Sequence, residues 1–173
     1  MFVLGIDPGL SRCGYGVVER RASQHHVHAM GVLRTSPDDP VADRLAAIAD
    51  DMRELLAEHP VDVVALERIL FQVNVRTAIG VAQATGVIMA EARRGGADVA
   101  EYSPNTVKQT VAGDGAADKS QMERMVRSLL KIDRPIRPVD AADAVGVALC
   151  HLAHAPMAGR VRAALSNGPG RDS

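Results

Sequence analysis

Hydrophobic and polar positions near the start of the chain follow the short periods that are typical of strands. Phe2 to Ile6 is an apolar run that ends at the turn signal Asp7-Pro8-Gly9. Gly14 to Val18 and the alternating stretch from His26 to Leu33 predict two more strands. We expect these three strands to form an antiparallel meander.

Helical spacing takes over after the meander and alternates with short apolar runs. The remaining elements are predicted, in chain order, as a helix over Asp43–Glu58, a strand over Val61–Leu66, a helix over Arg76–Arg94, a strand over Ala97–Tyr102, a short helix from Pro104, a helix from Asp118 to about Ile132, and a helix from Asp140 to about Ala155. A meander followed by β-α-β units predicts an α/β fold with a mixed five-stranded sheet flanked by helices. We expect one domain over residues 1–157 and a loose tail over 158–173, where Gly168-Pro169-Gly170 disfavours regular structure.

The composition is that of a globular domain. The chain has 173 residues, of which 47% are hydrophobic and 24% charged, so neither disorder nor a membrane protein is indicated. No apolar run approaches the roughly 18 residues that span a bilayer, and no basic segment precedes an apolar stretch at the start, which predicts a cytoplasmic location. Cys13 and Cys150 are too few for a disulfide framework and are expected to be small buried hydrophobes.

The net charge of −1 hides an uneven distribution. Asp38 to Asp62 contains eight acids and two bases, whereas Lys108 to Arg137 contains seven bases and four acids. Two ordinary solvated helix faces would account for this pattern. Alternatively, a polarised molecule presents its basic side to a polyanion such as DNA.

Two acids are predicted at the ends of buried strands. Asp7 follows the first strand, where it either caps the Pro8-Gly9 turn or contributes to a site at the carboxyl edge of the sheet. Glu67 follows the apolar run Val61–Leu66 without a turn signal. A lone carboxylate there costs several kcal/mol unless it is paired or binds a metal, so a functional role is favoured.

A second pair of acids, Asp140 and Asp143, lies on one face of the first turn of the last predicted helix. Helix capping alone would explain them. Together with Asp7 and Glu67, however, they form a set of oxygen donors without a cysteine or histidine cluster, which suits Mg²⁺ or Mn²⁺. Two such ions are the usual device for phosphodiester hydrolysis.

Other candidate residues are cationic or aromatic. Only three lysines occur, and Lys108 and Lys119 are either solvated helix residues or contacts to a scissile phosphate. Phe71, one of two phenylalanines, either packs in a loop or acts as a wedge that unstacks bases.

These segments together resemble the RuvC family of Holliday-junction resolvases over almost the whole chain. The motifs that carry the resemblance are Gly5-Ile6-Asp7-Pro8-Gly9 with Gly14-Tyr15-Gly16, Ala65-Leu66-Glu67-Arg68, Gln83-Ala84-Thr85-Gly86-Val87, Val107-Lys108-Gln109-Thr110-Val111, Asp118-Lys119-Ser120-Gln121 and Asp140-Ala141-Ala142-Asp143-Ala144. Their order and the chain length make the combination specific.

The resemblance implies a ribonuclease H-like fold, a homodimer, and symmetric Mg²⁺-dependent nicking of four-way DNA junctions. Nicking of this kind serves recombination and repair and leaves 5′-phosphate ends. The resemblance also implies two Mg²⁺ ions per active site, for which Mn²⁺ can substitute, and a branch-migration motor complex as a partner.

The same resemblance assigns roles to individual residues. The family's four acids fall on Asp7, Glu67, Asp140 and Asp143 as metal ligands and catalytic residues, and its two lysines on Lys108 and Lys119, of which Lys119 is also catalytic. Leu70, Phe71 and Arg76 are further expected DNA contacts. Members of the family often carry phenylalanine at the position of Leu70, so either Leu70 or Phe71 is the wedge.

Two other classes of function compete with this interpretation. Asp7-Pro8-Gly9 with Gly14 and Gly16 also resembles the first phosphate loop of actin-like ATPases and sugar kinases, although the chain is too short for the two halves that they need. A non-catalytic nucleic-acid-binding module would keep the basic stretch but would not require Glu67.

Overall fold

The computed structural model describes residues 1–68 and 75–166, with side chains for 1–68 and 78–155. Its strands are β1 (Phe2–Asp7), β2 (Arg12–Arg21), β3 (Gln24–Arg34), β4 (Val63–Glu67) and β5 (Asp98–Tyr102). Its helices are α1 (Val41–Glu58), α2 (Val75–Arg94), α3 (Pro104–Ala112), α4 (Lys119–Leu130) and α5 (Val139–Ser166). The predicted order of elements is confirmed. Within the described residues no helix combines the length and the apolar character needed to cross a membrane.

The five strands form one mixed sheet in the order β3-β2-β1-β4-β5. β1, β2 and β3 pair antiparallel, whereas β4 lies parallel to both β1 and β5. The predicted meander and the predicted α/β class are therefore confirmed. β1 and β4 lie inside the sheet, and their carboxyl ends meet at one edge.

Helices cover the sheet on both faces because alternate residues of each strand point to opposite sides. Leu4, Ile6 and Leu66 belong to a core under α1 and α2. Val3 and Ala65 belong to a second core under α3, α4 and α5. The acidic stretch around α1 and the basic stretch around α4 therefore lie on opposite faces of the sheet.

Glycines in β1 and β2 allow α5 to lie directly on the sheet. A Cβ on Gly5 would lie 2.0 Å from the carbonyl oxygen of Ala144, and a Cβ on Gly14 would lie 2.1 Å from that of Asp140. No real Cβ tolerates such distances, so these positions require glycine for packing. As a result, the first turn of α5 lies over the end of β1.

The last helix is longer than predicted. The sequence placed its end near Ala155, whereas α5 continues to Ser166 and includes the beginning of the segment assigned to the tail. The residues after Ala155 are mostly alanine, arginine and leucine, whose helix propensity outweighs the single Pro156. The domain boundary at residue 157 stays a prediction.

Both cysteines are buried and free, as predicted.

Candidate active site

Asp7 and Glu67 stand side by side where two interior strands end. Ile6 is level with Leu66 in the parallel β1–β4 pair, so the next residues of the two strands reach the same height. Both side chains project toward α5, because Gly5 and Ala65, two residues earlier in each strand, face that helix. The predicted positions of both acids at strand ends are confirmed.

The first turn of α5 brings Asp143 to the same place. Asp7, Glu67 and Asp143 line one pocket together with Lys108 and Lys119. Pro104, Val107 and Met122 complete the lining and form its apolar part. Three of the four predicted acids and both predicted lysines thus meet at one site.

Local sequence signals place the two lysines. Ser103 caps α3 by accepting the backbone N–H of Thr106, which puts Lys108 on the second turn. Asp118 and Gln121 form the predicted capping box of α4, so that Lys119 is its first residue. The Nζ of Lys119 lies 3.2 Å from Oδ2 of Asp143.

Crowded carboxylates shift the proton equilibria of the pocket. Burial raises the pKa of Asp7 to about 7, with further contributions from Glu67, Asp143 and Asp140. Burial and the charge of Asp143 raise the pKa of Glu67. The charge of Asp143 and its hydrogen bond raise the pKa of Lys119. The site therefore concentrates negative charge that its lysines only partly offset.

Asp140 lies at the edge of this pocket and is held by a residue that the sequence did not single out. Arg12, the first residue of β2, donates from Nε at 2.8 Å and from Nη2 at 2.5 Å to Oδ2 of Asp140. The sequence shows Arg12 shortly after Asp7-Pro8-Gly9, but the spacing of residues does not link Arg12 to a partner that lies 128 positions away.

The remaining predicted contacts were not placed. Leu70 and Phe71 lie outside the described residues, and Arg76 lies on α2 but its side chain is outside the described part. The assignment of the wedge stays a prediction.

The ligand atoms that line the pocket are of the type that a hard cation prefers. Asp7, Glu67 and Asp143 supply only oxygen atoms. Burial and, after it, repulsion by neighbouring carboxylates raise the pKa of Asp7, and a cation would relieve the repulsion. Among the described side chains, however, no three acids, histidines or cysteines converge closely enough to hold an ion as they stand. Asp143 and Asp140 pair with Lys119 and Arg12, respectively, so a cation that uses these oxygens would have to replace those partners.

Comparison with known proteins decides the family. The family model for crossover junction endodeoxyribonuclease RuvC matches residues 3–151. The chain belongs to the RuvC family. The RuvC of Streptomyces griseus is 47% identical over 96% of this chain and 82% of its own length.

Solved RuvC structures agree with the fold. The Thermus thermophilus RuvC structure superposes with a TM-score of 0.84 at 35% identity, over 91% of this chain and 97% of that one. The same protein in complex with Holliday junction substrate gives a TM-score of 0.83 at 32% identity, over 91% of this chain and 96% of that one. The ribonuclease H-like fold that the resemblance implied is thereby confirmed.

The family match does not favour the two alternative functions, and the packing adds a reason against a phosphate loop. A Cβ on Gly14 or Gly16 would collide with Asp140 and Val145, respectively. The two glycines therefore accommodate α5 rather than a nucleotide.

Proposed function

We propose that this chain resolves four-way DNA junctions in recombination and repair, by paired symmetric nicks that leave 5′-phosphate ends. The observation that carries the proposal is the pocket in which Asp7, Glu67 and Asp143 face Lys108 and Lys119 at the carboxyl edge of the sheet. Membership of a family of crossover junction endodeoxyribonucleases supports the reaction, and the Thermus thermophilus RuvC bound to Holliday junction supports the substrate.

Two Mg²⁺ ions per site, replaceable by Mn²⁺, are the cofactors that the donor set favours. Asp7, Glu67, Asp140 and Asp143 would hold them. Such ions supply a polarised attacking water and stabilise charge on the leaving 3′ oxygen. The raised pKa values of Asp7 and Glu67, which follow from burial and neighbouring carboxylates, support this assignment.

The two lysines bind and orient the scissile phosphate in this proposal. The side chain of Lys119 is 76% exposed and contacts Asp143 at only one atom, so its ammonium can turn toward a phosphate that enters the pocket. Lys108 lines the same pocket. Their charges stabilise negative charge that develops in the transition state.

A second copy of the chain completes the proposed reaction, because one pocket cuts one strand and resolution needs two related cuts. Helix α2 supplies a candidate interface. Its apolar residues lie on two sides of the helix: Ala84 and Ile88 are buried, whereas Ile79 is 55% exposed. Ala82 and Gly86 are also exposed, and a Cβ on Gly86 would meet nothing within 4 Å. Small exposed residues along one stripe suit close packing against the same helix of a partner.

Gly86→Leu tests this interface without disturbing the monomer, since the new side chain has open space within its own chain. We expect the variant to sediment as a monomer at micromolar concentration and to lose paired cutting. Gly86→Ala is the matched control and should remain dimeric. Active wild-type protein that sediments only as a monomer would contradict the dimer.

Nicking of a synthetic four-way junction, with and without Mg²⁺, tests the function. Products mapped to the nucleotide should show symmetric cuts with 5′-phosphate ends, and a linear duplex of the same sequence should stay uncut. ATP hydrolysis is measured in parallel, and turnover of ATP without nicking would favour the ATPase alternative. Junction binding without cutting in Mg²⁺ or Mn²⁺ would favour the non-catalytic module. The branch-migration motor and the cytoplasmic location stay predictions.

A further inference from the structure

Arg12 and Asp140 form an ion pair at the margin of the proposed metal site. Nε and Nη2 of Arg12 both donate to Oδ2 of Asp140, at 2.8 and 2.5 Å. The contact is built into the fold, because Gly14, two residues after Arg12 on the same face of β2, lies directly beneath the backbone of Asp140. The packing of α5 on β2 therefore places Asp140 within reach of Arg12.

This ion pair coincides with the exclusion of Asp140 from the pocket. Asp7, Glu67 and Asp143 line it, whereas Asp140 does not, although its charge still acts on Asp7 and Lys119. One oxygen of Asp140 is occupied by two N–H donors. A cation that uses this oxygen must first displace the guanidinium.

We propose that Arg12 is a positioning residue that competes with the divalent cation for Asp140. This inference rests on the proposed function, in which Asp140 is a metal ligand. With Arg12 paired, Oδ2 of Asp140 is held by the guanidinium outside the pocket that the other three acids line, and cation binding releases the guanidinium. Lys119 stands in the same relation to Asp143, so two of the four acids have a cationic side chain as a partner.

The strength of the competition follows from the exposure of the pair. The side chain of Arg12 is 47% exposed and that of Asp140 is 26% exposed, so solvent screens their attraction. Ion pairs of this exposure contribute modestly, which corresponds to about a two- to fivefold change in an equilibrium constant. Loss of Arg12 should tighten cation binding by that factor.

The experiment is a titration of the DNA-free protein with Mn²⁺, in which electron paramagnetic resonance reports the free ion. Arg12→Gln should bind Mn²⁺ about two- to fivefold more tightly than the wild type. Arg34→Gln is the matched control, because Arg34 is paired with Arg12 in the β2–β3 register and is exposed but makes no contact with Asp140. Its Mn²⁺ affinity should equal that of the wild type. Thermal melts of each variant verify folding.

A double variant shows whether the effect passes through Asp140. Adding Asp140→Asn should abolish the gain, so that Arg12→Gln/Asp140→Asn and Asp140→Asn bind Mn²⁺ equally. A gain that persists in the double variant, or an Arg12→Gln affinity equal to or weaker than that of the wild type, overturns the competition. Junction nicking by the wild type, measured in parallel, separates the two hypotheses. Nicking with unchanged Arg12→Gln affinity removes only the role of Arg12, whereas a wild type that neither binds Mn²⁺ nor nicks removes the proposed function as well.

Discussion

Two carboxylates on opposite faces of the sheet show how differently this fold treats a buried acid. Glu91, on α2, has a side chain that is only 4% exposed, and Arg53 of α1 donates Nε and Nη2 to its two oxygens at 2.9 Å each. Arg94 adds a third contact at 2.5 Å. The hydrogen bond from Arg53 is the main cause that lowers the pKa of Glu91.

Asp7, on the other face, is surrounded by acids instead. Burial and three neighbouring carboxylates raise its pKa to about 7, and only Lys119 acts in the opposite direction. The carboxylate of Glu91 is neutralised and hydrogen-bonded by its two arginine partners, and the contact with Arg53 joins α1 to α2. Asp7 is held against electrostatic repulsion by the packing of α5 on β1. A partly buried acid that is crowded by other carboxylates is the stronger sign of function, because folding alone would select against it.

The largest expected effect is on nicking. Asp7→Asn should lower junction nicking at least about a thousandfold, because it removes a metal-binding charge without changing the size of the side chain. Junction binding, measured by gel shift, should remain. Glu91→Gln is the matched control, since it makes the same kind of change to a buried carboxylate on the opposite face, and it should nick at a rate close to that of the wild type. An equal loss of nicking activity in both variants would contradict the difference in function between the carboxylates on the two faces.

The three lysines permit a second matched test. Lys119→Gln should slow nicking about 10- to 100-fold, because it removes a charge that faces the reacting phosphate. Lys131, which ends α4 outside the pocket, provides the comparison, and Lys131→Gln should leave the single-turnover rate nearly unchanged. Comparable losses in the two variants would point to general DNA attraction rather than to a role in the pocket.

Stability should respond to the two acids in opposite directions. In metal-free buffer at pH 8, Asp7→Asn should raise the free energy of unfolding by roughly 1–3 kcal/mol, because the native state no longer bears a charge that it disfavours. Glu91→Gln should lower Tm by a few degrees, since Arg53 and Arg94 lose their anionic partner.

The pH dependence of the Asp7 effect follows from the direction of its shift. Because its native pKa, about 7, exceeds the usual aspartate value of 3.8, the native state binds more protons than the unfolded state between these limits, and wild-type stability falls as pH rises through them. The advantage of Asp7→Asn should thus be complete above pH 7 and shrink toward pH 4. Thermal melts with a chelator would measure it, and an advantage that grows as pH falls would contradict the sign.

The smallest expected effect concerns the charge of the two faces in DNA binding. Arg124 is exposed on α4, and Arg124→Gln should lower the slope of log K against log salt by about one. Arg93, paired with Asp98 at the end of α2, is the control on the other face, and Arg93→Gln should leave the slope unchanged. Equal slopes for both variants would mean that the basic face does not contact the phosphates.

The sequence by itself determined the order of elements and the placement of the chemistry along them. The functional residues belong to local patterns: strands that end in Asp7 and Glu67, a capping box before Lys119, and a first helical turn with Asp143. Such patterns can be recognised in the sequence because buried positions repeat at a fixed spacing in each type of element. The position of Asp7 at the carboxyl edge of the sheet followed from the rule that sites in α/β folds lie at that edge.

Only the tertiary structure decided which partners these residues have. The pairing of Arg12 with Asp140 joins positions 128 residues apart, and Asp140 is absent from the lining of the pocket that the other three acids share. The division of α2 into a buried and an exposed stripe depends on which of its apolar residues the sheet covers. The spacing of hydrophobic residues along a chain indicates which positions are buried. Contacts between distant segments depend instead on which strands lie next to each other and on which face each helix packs, and both are properties of the whole fold.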